Sequence, residues 1–134
     1  EGLVKPYTVI ERNGLRIGLF GLSPKLEGLV QAEKCKGLTF NDPIKAAQQA
    51  IDQLRNKEKC DLVVCLSHLG IDIQDISDEE VIASTTGIDL LLGGHTHTLM
   101  NEPKIYLNKN GKDVPAMHSG RNGAHIGKIE ITIE

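Results

Sequence analysis

The sequence predicts an α/β fold in which helices cover a largely parallel sheet. Two apolar runs, DLVVCL at residues 61–66 and DLLL at residues 89–92, have the size and composition of strands buried on both faces. A capping box at residues 77–80 begins a helix between them. Strand, helix and strand together take about 30 residues, the size of a βαβ crossover unit.

The chain is expected to begin with a β-hairpin. Residues 6–11 and Leu15–Leu22 are rich in β-forming residues. The Asn13-Gly14 pair between them is the strongest short signal for a tight hairpin turn. Glycine and proline punctuate residues 23–37, so this segment is expected to be irregular.

A helix is predicted to start after Asp42. Asp42 suits the N-cap and Pro43 the first helical position, and the pattern continues to about residue 57. Its apolar residues fall on one face at helical spacing: Ile44, Ala47, Ile51 and Leu54.

Beyond the crossover unit, residues 104–107, 114–118 and 124–133 are predicted to be antiparallel strands. Several acids bracket the start of the helix between the two buried strands, where they favour the helix dipole and are expected to be solvated. They are Asp72, Asp75, Asp78 and Glu79.

Composition excludes several classes of protein. The net charge is −3 and the pI about 6.0, which leaves no basic surplus for nucleic acid or an anionic membrane. No apolar run approaches the roughly 20 residues of a membrane span. The three cysteines cannot form a complete set of disulfides. Because the chain begins at Glu1 rather than Met, we expect a processed, cleaved or cloned piece of a longer protein.

Histidine follows each of the two apolar strands. SHLG at residues 67–70 places His68 after the first strand, and GGHTHT at residues 93–98 places His95 and His97 after the second. Parallel strands bring their carboxyl ends to one edge of the sheet, which is where ligands bind in α/β folds. We therefore expect these imidazoles to lie close together.

The spacing of His95 and His97 favours a metal site. Residues two apart in extended backbone point to the same side, so the two rings can chelate one ion or serve two ions about 3.5–4 Å apart. Gly93 and Gly94 let the backbone turn beneath such a site. A lone histidine after a strand is more often a surface residue, and His-x-His alone occurs by accident. The combination with His68 makes these histidines candidate metal ligands.

The Gly-rich turn at residues 119–123 is a weaker candidate. Arg121 and Asn122 lie in it and are candidate substrate contacts, with Arg121 suited to a phosphate. His118 and His125 flank the turn, and we interpret both as structural.

At these residues a family becomes recognisable. SHLG at residues 67–70 and DLLLGGHTHT at residues 89–98 resemble the last two metal-binding motifs of calcineurin-like metallophosphoesterases, most closely the 5′-nucleotidase branch. YTVIERNGLRIGLFGL at residues 7–22 resembles the strand pair that begins the second half of that branch's catalytic domain. SGRNGAHIGKIEI at residues 119–131 resembles the strand that ends it.

The resemblance implies that residues 1–134 are the C-terminal half of a catalytic domain with a four-layer α/β/β/α sandwich fold. The complete domain would hold two divalent metal ions, zinc, manganese or similar, with His68 and His95 on one and His97 on the other. It would hydrolyse phosphate esters of nucleotides or related compounds. The branch also implies a periplasmic or cell-surface location.

The family's first three motifs, Asp-x-His, Gly-Asp and Gly-Asn-His, are absent from this sequence. Neutral imidazoles cannot neutralise two dications, so the carboxylates must come from an N-terminal half, which is the expected partner. The chain alone is expected to be inactive, and it carries no catalytic residue besides its metal ligands.

Two other functions remain open at this point. One is a self-contained hydrolase with a single zinc ion held by His68, His95 and His97, with water in the fourth position. The other is a non-catalytic metal-binding or assembly module. If the chain is half of a domain, the open edge where the missing half should pack would expose apolar surface, which would favour a homo-oligomer or pairing with the N-terminal half.

Overall fold

The computed structural model describes residues 4–132. A 3₁₀ turn lies at Ala32–Cys35, and a π-helical turn at Gln53–Lys57 extends the first helix. Within the described part of the chain, no helix is long and apolar enough to cross a membrane. The strands and helices are β1 (Tyr7–Arg12), β2 (Leu15–Leu22), α1 (Pro43–Asp52), β3 (Leu62–Ser67), α2 (Asp78–Ser84), β4 (Leu90–Gly93), β5 (Lys104–Leu107) and β6 (Asp113–His118).

The strands form one six-stranded sheet in the order β1-β2-β3-β4-β6-β5. β2, β3, β4 and β6 are parallel neighbours, while β1 and β5 pair antiparallel to β2 and β6 at the two edges. The predicted α/β class and the parallel β3–α2–β4 unit are confirmed. The carboxyl ends of four strands therefore meet at one edge.

Local signals explain the first elements. Asn13 and Gly14 have φ values of 50° and 79°, the left-handed backbone that a tight turn between right-twisted strands requires. The Asp42 carboxylate accepts hydrogen bonds from the backbone N–H groups of Ile44 and Lys45, which confirms it as the N-cap of α1.

Both helices pack on one face of the sheet and enclose the core. Ala47, Ile51 and Leu54 from the first helix and its π-helical extension are at most 1% exposed, as are Val81 and Ile82 of α2. The sheet contributes alternate side chains to the same cluster: Phe20, Leu22, Val63, Cys65, Leu91, Val114 and Ala116.

The opposite face of the sheet is only partly covered, which corrects the expectation that β3 and β4 are inaccessible on both faces. Leu66 is 46% exposed and Leu92 is 36% exposed. In the strand register their face also carries three further exposed apolar side chains. These are Ile10, Ile105 and Leu107. The sequence pattern required a second covering layer, which residues 4–132 do not provide.

The prediction of a last strand at residues 124–133 is wrong for the described residues 124–132. Residues 124–132 run without strand pairing, and Ile133, the final residue of that prediction, lies outside the described residues. The segment instead crosses the partly covered face, where Ile129 lines a cavity with Leu90 and Met117. β6, which precedes it, already pairs with β4 on one side and β5 on the other.

Candidate metal centre

His68 is the first residue beyond β3, and its side chain is exposed. Its backbone N–H donates to the carbonyl of Leu22 at 2.9 Å, which ties it to the neighbouring strand β2. On its amino side, Ser67 is buried with its side chain on the core face. His68 therefore presents an accessible imidazole from a backbone that is fixed on both sides.

His95 and His97 follow β4 in strained backbone. Their φ values are 73° and 57°, in the left-handed region that residues other than glycine seldom adopt. Thr96 between them donates its backbone N–H to the carbonyl of Gly94 at 2.9 Å, and the hydroxyls of Thr96 and Thr98 are 3.1 Å apart. Such strain is found where a surrounding structure fixes a functional loop.

The structure brings His68 and His95 together. Their ring centroids are 5.2 Å apart, with an interplanar angle of 65°. Close backbone approaches make this possible: a Cβ on Gly94 would lie 3.2 Å from Nδ1 of His68, and one on Gly70 would lie 3.3 Å from Cδ2 of His95. The parallel pairing of β3 with β4 therefore places two imidazoles side by side, as potential nitrogen ligands for a divalent ion.

His97 is exposed and lies two residues after His95. Across residues 4–132, no three histidine, cysteine, aspartate or glutamate side chains are grouped closely enough to hold one ion. The structure thus assembles a pair of imidazoles, and the participation of His97 stays a prediction.

Arg121 and Asn122 are exposed on the turn that follows β6. This turn is joined to the histidine loop, because the Gly120 N–H donates to the Thr98 carbonyl at 2.8 Å and Leu99 forms a β-bridge with Ser119. Their role as substrate contacts stays a prediction, supported by the attachment of their turn to the loop that carries His95.

A cavity of about 210 Å³ opens beside His95. Its lining includes apolar side chains, among them Phe40, Leu69 and Ile76, and the charged side chains Lys25 and Asp75. Space for a small ligand therefore adjoins the His95 imidazole.

A buried polar network beneath the histidines was not predicted. Asp78 was expected to be solvated, but it is 0% exposed, and its carboxylate accepts from Nε2 of His118 at 2.9 Å and from the Ser67 hydroxyl. Nδ1 of His118 has no hydrogen-bond partner within residues 4–132. His118 is 1% exposed, in keeping with its interpretation as structural.

The sequence did contain a signal for this network. Asp78 precedes Val81 and Ile82 by three and four residues, the spacing of one helix face, so it occupies a core position. His118 likewise alternates with Val114 and Ala116, the inward side chains of β6. The spacing of Asp78 with Val81 and Ile82 conflicts with the preference of acids for the exposed first turn of a helix, and that preference led to the wrong prediction.

Comparison with known proteins supports the family resemblance. No model of a protein family matches the sequence. The chain is 26% identical over all 134 of its residues to the trifunctional nucleotide phosphoesterase protein YfkN of Bacillus subtilis (strain 168), of which it spans 9%. It is 24% identical to the snake venom 5′-nucleotidase of Naja atra, matching with 100% of its own length and 27% of the relative's.

Solved structures agree on the fold. A calcineurin-like phosphoesterase YfkN from Bacillus subtilis matches 90% of this chain and 42% of its own, with a TM-score of 0.70 and 22% identity. The NAD nucleotidase of Haemophilus influenzae matches 84% of this chain and 22% of its own, with a TM-score of 0.65 and 23% identity. In each case the chain covers less than half of the solved structure. The chain is thus similar along its whole length to a nucleotide phosphoesterase and to a 5′-nucleotidase, and its fold is that of a calcineurin-like phosphoesterase, so the resemblance recognised in its histidine motifs is confirmed.

Proposed function

We propose that residues 1–134 are the C-terminal half of a metallophosphoesterase catalytic domain that hydrolyses phosphate esters of nucleotides or related compounds. The observation that carries this proposal is the approach of His68 and His95, whose ring centroids lie 5.2 Å apart at the ends of two parallel strands. Relatives named as 5′-nucleotidases and nucleotide phosphoesterases, matched over the full chain, point to the substrate class. A periplasmic or cell-surface location is part of the same proposal.

The donor set fits a divalent ion, but only in part. Imidazole nitrogen is a ligand suited to zinc and manganese-type ions, and His68 and His95 reach the same edge of the sheet. The buried carboxylate below them, Asp78, is already occupied by Ser67 and His118. We infer that His68 and His95 share one ion, that His97 serves a second, and that carboxylates from an N-terminal half complete both coordination shells. When bound, such ions supply charge stabilisation to the reacting phosphoryl oxygens.

The chain's own groups would then hold the ester. Arg121 carries a planar guanidinium suited to phosphate oxygens, and Asn122 beside it offers amide donors. Apolar side chains that line the cavity beside His95, Phe40 among them, offer contact to the organic part of the ester.

The proposal is tested by assaying a nucleoside monophosphate and an aryl phosphate with added Mn²⁺ or Zn²⁺. The chain alone is expected to be inactive, because it lacks the carboxylate and Asn-His motifs. Co-expression with the N-terminal half should restore turnover, and His95→Ala should then lower it at least 100-fold.

Two results would contradict this proposal. Turnover by the chain alone that survives repurification and vanishes in His95→Ala would establish the self-contained zinc hydrolase instead. Lack of turnover even with the N-terminal half, while metal still binds, would favour the non-catalytic metal-binding or assembly module.

A further inference from the structure

We propose that Asp78 is a positioning residue of the histidine site. Its buried carboxylate ties the end of β3 to the end of β6 and thereby fixes how His68 and His95 face each other. The inference rests on the proposed metal role of these histidines, but the position of the two rings can be measured without any metal.

The first link runs to the turn that carries His68. One carboxylate oxygen of Asp78 accepts the Ser67 hydroxyl, and the same hydroxyl oxygen accepts the Leu69 N–H at 3.1 Å. The Asp78 backbone N–H donates to the carbonyl of Gly70 at 2.8 Å. The residues on both sides of His68 are therefore bound to the start of α2.

The second link runs to the strand beside β4. The other oxygen of Asp78 accepts from Nε2 of His118 at 2.9 Å, and His118 lies opposite Gly93 in the parallel register. A Cβ on Gly93 would lie 2.0 Å from Nε2 of His118 and 2.6 Å from Oδ2 of Asp78. The polar pair thus rests directly against the β4 backbone, two residues before His95.

The far end of the histidine loop is bound to the same strand. The Met100 N–H donates to the carbonyl of His118 at 3.0 Å, and Gly120 donates to Thr98 at 2.8 Å. The His118 ring therefore lies against β4 just before the loop, and the His118 carbonyl holds the loop's far end.

Stability alone gives little reason to bury such a network. Replacing a buried ion pair by apolar side chains of similar volume is often neutral or stabilising, whereas a network that must hold a specific geometry has a reason to remain polar. Asp78 and His118 are 0% and 1% exposed, and they sit beneath the one edge where the histidines meet.

The chain offers a matched control at the other end of the same strands, where their amino ends lie. The Asp89 carboxylate pairs with Arg55 and accepts the Val63 N–H at 2.7 Å, near the amino ends of β3 and β4. Asp89→Asn removes a comparable charge from the same two strands while leaving their carboxyl ends alone.

The experiment uses Asp78→Asn, the milder Ser67→Ala, and Asp89→Asn, in the 134-residue chain with labelled histidine. In the wild type, NMR should detect a through-space contact between the rings of His68 and His95. Asp78→Asn and Ser67→Ala should weaken that contact several-fold and weaken Zn²⁺ binding about 10- to 100-fold, as for outer-shell residues of metal sites. Asp89→Asn should change neither quantity, even where it lowers the unfolding midpoint.

The outcomes separate the two proposals. Loss of the ring contact in the Asp78 and Ser67 variants supports the positioning role, even if no protein binds Zn²⁺ and the proposed metal function fails. Folded Asp78→Asn and Ser67→Ala proteins with an unchanged ring contact and unchanged Zn²⁺ affinity would overturn the inference. So would an absent ring contact in the wild type, equal losses in Asp89→Asn, or failure of both test variants to fold.

Discussion

Gly93 and Gly94 are adjacent, yet a side chain would meet different obstacles at the two positions. At Gly93 the obstacle is the buried pair of His118 and Asp78, at 2.0 and 2.6 Å from an added Cβ. At Gly94 it is the exposed ring of His68, at 3.2 Å, which can rotate away. The first glycine thus makes room for the supporting network and the second for the candidate ligand itself.

Gly93→Ala is expected to destabilise the fold by about 1–3 kcal/mol, the usual cost of overpacking a filled interior. Neither neighbour can move away easily, because both are buried and hydrogen-bonded to each other. The measurement is the free energy of unfolding from urea titration, read as a shift of the midpoint at constant slope.

Gly21→Ala is the matched control for that substitution. Gly21 lies in β2, and an added Cβ there would lie 3.7 Å from the Leu66 carbonyl oxygen, an ordinary contact. Its effect should stay within about 0.5 kcal/mol. Equal effects of the two substitutions would show that the His118–Asp78 pair does not confine Gly93.

The buried Cys65 thiol should make the free energy of unfolding depend on pH in the alkaline range. Burial raises the pKa of Cys65, with a further contribution from the nearby Asp78 charge. A thiol in the unfolded chain ionises near pH 8.5, so the folded form holds one more proton above that pH. The stability that Cys65 contributes is therefore fully present below about pH 8.5 and is lost as pH rises toward the folded pKa.

Because of this one proton, the free energy of unfolding should fall with a slope that approaches about 1.4 kcal/mol per pH unit between pH 9 and 10. Cys65→Ala should show a smaller dependence of the free energy of unfolding on pH over the same interval, whatever its effect at pH 7. Identical slopes in the two proteins would contradict the assignment to Cys65.

At the scale of elements, the first helix shows how one residue sets a boundary. Asp42 caps α1 by accepting from two backbone N–H groups, at 2.9 and 3.2 Å. Asp42→Ala should lower the free energy of unfolding by about 1 kcal/mol, because those donors lose their partner. Gln49→Ala, at an exposed position within the same helix, should change it by less than about 0.5 kcal/mol. Differential scanning calorimetry that ranks the two variants in the opposite order would refute the capping role.

Elements with a local signal were predicted well from the sequence. The Asn13-Gly14 turn, the Asp42 cap and the β3–α2–β4 unit follow from residues that act on their own neighbours. Residues 128–133 alternate polar and apolar side chains, but such alternation does not say whether a strand is free for pairing. Both edges of β6 are taken, so the described part of that segment lies across the sheet without strand pairing.

The candidate site was predictable as far as strand register determines it. Parallel pairing of β3 with β4 brings His68 and the start of the His95 loop to the same end of the sheet. The left-handed backbone of His95 and His97 within that loop is not revealed by the sequence pattern. The solvated state predicted for Asp78 is wrong because acids favour the first turn of a helix, which is usually exposed, whereas at Asp78 that turn faces the core.

Across the whole chain, one face of the sheet is covered by helices and the opposite face is only partly covered. Helices bury the first, while the second leaves Leu66 and Leu92 exposed by 46% and 36%. The imidazole pair lies at the end of the same two strands and lacks a grouped carboxylate among the described residues. An N-terminal half packed on that face would cover the apolar side chains and complete the site together.

Titration of the chain with Zn²⁺ tests whether His68 and His95 hold one divalent ion jointly. Histidine-selective NMR should show binding that His68→Ala and His95→Ala each weaken at least tenfold. His125→Ala is the control, because His125 is an exposed histidine on the segment after β6 and should leave the affinity unchanged. Unchanged affinity in both test variants, or an equal loss in His125→Ala, would contradict the claim.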